Sequence, residues 1–230
     1  MTRATRTRLV LLVCVVATAI VHLAPDAGFL AYPLLLLSSL AHELGHGVAA
    51  LLVGGRFHRL LLWADGSGIA ELSIVQSGPR LAFVAAGGLV GPALVAAAAF
   101  AAGRSTRGAR GALGVAALVL GIALLLVVRT PFGIVFVSLL CIALLAAWRW
   151  ASPDLAQLLV VFLGVELTLS VFARADYLFT PVARTAQGTM PSDVAQISAA
   201  LAGPYWFWGA LCAAFSLAVL ALGLRSYLRS

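Results

Sequence analysis

His42 and His46 stand four residues apart, with Glu43 directly after the first, in the stretch SSLAHELGHGVAALLVGG, residues 38–55. On a helix that spacing places both imidazoles on one face, where they can bind a single metal ion. Glu43 then comes within reach of a metal-bound water as general base, which is the mechanical content of an HExxH motif. Imidazole donors suit zinc, and a catalytic zinc site keeps three protein ligands and one open position. The motif therefore predicts one Zn2+ per chain, held by His42, His46 and a third ligand from elsewhere.

The elements that carry this chemistry are apolar. The 230-residue chain is 63% hydrophobic and 10% charged, with a mean hydropathy of +1.08. A soluble domain of that size cannot hide so much apolar surface, and several runs approach the length of about 20 residues that crosses a bilayer as a helix. The expectation is an all-α polytopic membrane protein, a single transmembrane domain over 1–230 with six to seven spanning helices. Two histidines and a glutamate within such a helix are costly unless they bind metal, pair or meet water.

The net charge of +7 does not point to nucleic acid. Every basic residue is an arginine, and most lie between apolar runs, where charges orient helices or snorkel to the membrane surface. Cys14, Cys141 and Cys212 lie far apart inside apolar runs, with neither metal-ligand spacing nor a disulfide pattern.

Along the chain, a basic N-terminus (1–8) precedes an apolar run from Leu9 to Ala24, read as a retained first helix rather than a cleaved signal. After the turn PDAG, the metal-motif helix covers 29–53 and ends at Gly54-Gly55. Residues 56–80 read as a β-hairpin around ADGSG. Its edges cannot face lipid, so it must lie at the surface or inside the protein. Further helices are expected at 81–102, 112–128, 132–147, 155–179 and 205–224, with a basic loop at 103–111, a polar loop at 180–190 and a short helix from PSDVAQ. With seven alternating crossings, the arginine distribution slightly favours a cytoplasmic N-terminus.

HELGH in an early transmembrane helix, followed by GG and a hairpin, resembles the site-2-protease class of M50 intramembrane zinc metalloproteases. The short, all-membrane form is similar to the M50B-like bacterial branch. The resemblance implies a bacterial cell-membrane location and a third ligand that is an aspartate from a later helix, within an NPxxDG-like motif. This chain has no NPxxDG. Of its acidic residues, Asp176 in RADYLF ranks first, because the 155–179 helix would bring it to a depth similar to that of His46. Glu166 would sit about 15 Å further out and also reads as a buried polar partner for another helix. Asp193 lies on the correct side, although DVAQ also reads as a helix cap. Asp176 is thus placed ahead of Asp193 and Glu166, with all three open. By analogy with the family, an unwound substrate adds as a strand at the hairpin edge near Ser67, Gly68 and Glu71.

The function that follows is hydrolysis of a peptide bond in or near a transmembrane segment of a membrane-anchored protein, with Glu43 activating zinc-bound water. The competing readings are a non-catalytic membrane protein with a structural or regulatory metal site, and a metal transporter. Transporters usually carry inverted repeats or several intramembrane polar sites, and neither is visible. The expected partners are the lipid bilayer and a protein substrate within it, with no nucleic acid.

Overall fold

The structure is a computed structural model that describes residues 3–23, 28–74, 78–173 and 175–229. The side chains of residues 3, 4, 173, 175 and 176 lie outside that description. In chain order the elements are α1 (Arg3–Leu23), α2 (Gly28–Leu52), β1 (Arg56–Leu62), β2 (Gly68–Ser73), α3 (Gly78–Gly103), α4 (Thr106–Leu126), α5 (Pro131–Trp150), α6 (Pro153–Ala173), a 3-10 turn (Ala175–Phe179), β3 (Val182–Thr185), β4 (Gly188–Pro191), α7 (Asp193–Leu201) and α8 (Tyr205–Leu228). Among the described residues, seven helices are long and apolar enough to cross a membrane: α1 to α6 and α8. The expected all-α polytopic architecture with a hairpin after the metal-motif helix is what the chain adopts.

α3 is the hub, packing against α2, α6, α7 and α8. Small residues make this possible. Gly45 of α2 meets Gly87, Gly88 and Gly91 of α3 so closely that a Cβ on Gly91 would stand 3.1 Å from the Ala41 carbonyl oxygen. Without a hydrophobic driving force between helices in lipid, such backbone approach is how membrane helices gain dispersion contacts.

β1 and β2 pair antiparallel, with Leu62 opposite Gly68 and Arg56 opposite Ser73. Gly66 closes the tip at φ 85°, a conformation open to glycine at no Cβ cost. The other edge of β1 is also covered. Leu60 donates its N–H to the Val127 carbonyl (2.7 Å) and accepts from the Arg129 N–H (3.1 Å). Thr130, the N-cap of α5, accepts from the Leu62 N–H (3.1 Å) and donates to the Leu62 carbonyl (2.7 Å). Buried in protein on that side, β1 meets the demand that no open strand edge face lipid. Among the described residues, β2 has no strand partner on its outer edge.

Several expectations are corrected. The supposed basic loop 103–111 shrinks to Arg104 and Ser105, because Ser105 caps α4 by accepting from the Gly108 N–H at 3.0 Å. The supposed loop 180–190 is a second hairpin, β3–β4, turning at Gly188 (φ 115°). α6 ends at Ala173, earlier than expected, and gives way to the 3-10 turn.

The direction of α1 also differs. Arg6 pairs with Asp154 and bonds Gln157 (2.9 Å), the Cys14 thiol donates to the Leu158 carbonyl (3.6 Å), and Thr18 donates to Glu166 (2.6 Å). Both helices advance together, so α1 runs parallel to α6. In strictly alternating crossings a first and a sixth span run antiparallel, so the arginine count no longer orients the protein.

Candidate metal centre

α2 delivers the two histidines as the spacing requires. Their Nε2 atoms are 3.2 Å apart, and the rings meet edge to face with centroids 4.7 Å apart. The other nitrogen of His46, Nδ1, lies 2.9 Å from the Val84 carbonyl oxygen on α3. An N–H donated there leaves Nε2 with its lone pair, the tautomer a metal ligand needs. Gly88 makes room, since a Cβ at that position would overlap the His46 ring.

The acidic group that meets both histidines is Asp193. Its Oδ2 lies 3.2 Å from His42 Nε2 and its Oδ1 3.4 Å from His46 Nε2. The expected cap is corrected: Ser192, not Asp193, is the N-cap of α7, accepting from the Ala195 N–H at 3.3 Å. With Ser192 holding that place, the Asp193 carboxylate is free to turn toward α2. Ser192 is itself tied to the preceding segment, donating its hydroxyl to the Thr180 carbonyl (2.6 Å) and its N–H to Pro181 (3.1 Å).

Burial works to raise the Asp193 pKa, but the electrostatic contacts with His46 and His42 outweigh it and hold the carboxyl below the ordinary carboxylate range. Oδ2 is fully buried and has no hydrogen-bond partner among the described residues, with His42 Nε2 at 3.2 Å. A buried oxygen of this kind beside two imidazole nitrogens forms a donor set that could hold a cation.

The dimensions agree. Tetrahedral bonds of about 2.0–2.1 Å to zinc set neighbouring ligand atoms about 3.3 Å apart, close to the 3.2, 3.2 and 3.4 Å separations found here. Among the described residues, His42, His46 and Asp193 are the three whose ligand atoms could hold one metal ion.

The other sequence candidates are placed as follows. Glu166 is buried on α6 and engaged by α1, accepting from Thr18 (2.6 Å) and facing His22 Nε2 (3.0 Å). That is the helix-pairing role weighed for it. Asp176 lies in the 3-10 turn, and its side chain falls outside the described residues.

Glu43 is buried beside β2, where a Cβ on Gly68 would approach its Cγ to 2.6 Å. Ser67 and Gly68 line a cavity of about 120 Å³ together with His42 and Glu43, whereas Glu71 sits outside it and pairs with Arg59 at 3.5 Å. Most of the remaining polar lining comes from Ser38, Ser39, Ser170 and Ser216 on three spanning helices. Sequence reasoning missed the contribution of β3, whose Ala183, Arg184 and Thr185 also line the cavity. The signal was the Gly188 turn between two short extended runs.

The family model described as Peptidase M50B-like matches residues 11–223. The chain belongs to the Peptidase M50B-like family. Membership implies a protease, and the matched span takes in α2, both hairpins and α7, so every element of the centre lies within it. No curated protein and no solved structure matched the chain.

Proposed function

We propose that this protein is a zinc-dependent intramembrane endopeptidase of the bacterial cell membrane, cleaving a peptide bond in or near a transmembrane segment of a membrane-anchored substrate. The observation that carries it is the convergence of His42, His46 and Asp193 beside a buried Glu43 and a polar cavity, within helices that are otherwise apolar. Zinc held by those three side chains would supply Lewis acidity toward water and toward a carbonyl oxygen.

The remaining steps belong to the chain. The cavity of about 120 Å³ is large and polar enough to hold water beside Glu43. Glu43 removes the proton from the attacking water and returns it to the leaving amine. Gly68 packs against Glu43, so the outer edge of β2 starts beside the base. A substrate segment unwound into a strand can satisfy its backbone on that edge, which favours a site where a hairpin and a carboxylate touch.

The test is cleavage of a model transmembrane substrate by purified protein in lipid. Activity in wild type, lost in Glu43→Gln with its metal retained, supports the reading. Equal activity in both would leave a protein whose metal site is structural.

A further inference from the structure

Besides Glu43 and His42, the one charged side chain that lines the cavity among the described residues is Arg184 on β3. It makes no ion pair or hydrogen bond with Glu43 or with any other described residue. Arg59, by contrast, has Glu71, and Arg6 has Asp154. β3 lies beside the tip of the first hairpin, joined to it where the Ala186 N–H donates to Ser67 Oγ at 3.1 Å. Ser67, Gly68 and Arg184 thus line the same cavity as Glu43, so an extended chain bound at the Gly68 end of β2 would have Arg184 among its neighbours.

We propose that Arg184 is a specificity-determining residue that selects substrates with an acidic side chain close to the scissile bond. The proposal rests on the endopeptidase reading above. Arg184 is exposed at the rim of the cavity, where a guanidinium can grip a carboxylate through two parallel N–H donors. Lysine at the same substrate position meets like charge, and asparagine leaves the fork half used. No described carboxylate pairs with Arg184, so among the described residues nothing competes with a substrate for this cation.

The probe is a fluorescein-labelled peptide of about 24 Leu and Ala residues, long enough to span the bilayer core. A central Gly-Ser pair lets it unwind, and Asp, Asn or Lys is placed in turn at positions flanking that pair. Affinity is measured on zinc-loaded, full-length Glu43→Gln protein in lipid nanodiscs, and cleavage of the same peptides on wild type. The expected result is binding of the best Asp peptide at least about tenfold tighter than its Asn counterpart, with that preference abolished by Arg184→Gln and reversed toward Lys by Arg184→Glu. Cleavage by wild type without acidic preference overturns the proposal and leaves the endopeptidase reading standing. An equal loss on Asp, Asn and Lys peptides in Arg184→Gln would make Arg184 an anchor for lipid phosphate and also overturn it. If no peptide is bound and none is cleaved, the endopeptidase reading itself fails and the proposal falls with it.

Discussion

Gly88 of α3 lies against the imidazole of His46, leaving no space for a Cβ between them. The same turn of α3 offers the Val84 carbonyl to His46 Nδ1, so α3 sets both the tautomer and the position of this ring. Gly88→Ala should therefore push His46 off its place without removing any ligand. We expect metal content to fall well below one per chain while helicity by circular dichroism stays near wild type. Full metal content in Gly88→Ala would show that α3 does not position His46.

Glu43 and Gly68 separate base chemistry from metal binding. Glu43→Gln should keep its metal and lose about 10²–10⁴-fold in kcat, the usual range for a general acid–base group. Gly68→Ala should displace the Glu43 carboxylate, whose Oε1 would stand 3.0 Å from the new Cβ, and lower kcat with metal retained. Unchanged turnover in Gly68→Ala would mean that β2 does not hold the base.

The depressed pKa of Asp193 fixes the sign of one pH effect. A carboxylate whose folded value is lowered contributes stability that is fully present above its unfolded value, near 4, and is lost as pH falls through the folded value. Thermal melts of metal-free protein should thus show wild type losing its advantage over Asp193→Asn as pH drops below about 4. A gap between the two that does not narrow at all as pH falls from about 5 to about 2 would contradict this.

Glu166 should prove structural. Removing one partner of a buried polar cluster leaves the other unsatisfied at about 1–3 kcal/mol, so Glu166→Ala should melt at lower temperature through loosening of α1. Its metal content should match wild type, and loss of metal in this variant would return Glu166 to the list of ligands.

Much of this was legible because the strongest signals were local. HELGH needs only the period of a helix to bring His42 and His46 together, and the ADGSG turn between β-compatible runs marks the first hairpin. Asp193 was harder to place because its approach to α2 depends on packing of α7 against α3 and on a cap at Ser192, one residue away from where the DVAQ pattern suggests. Asp176 ranked first on depth along a continuous helix, but α6 ends at Ala173 and the ruler ended with it. The direction of α1 rests on Glu166 and Asp154, pairings more than 140 residues away in sequence, which no periodicity encodes.

The most direct test of the metal centre is zinc stoichiometry by elemental analysis of detergent-purified protein, for wild type, His46→Ala, Asp193→Ala and Asp176→Ala. The account predicts one zinc per chain in wild type and Asp176→Ala, and none in His46→Ala and Asp193→Ala. Zinc retained in Asp193→Ala and lost in Asp176→Ala would contradict it.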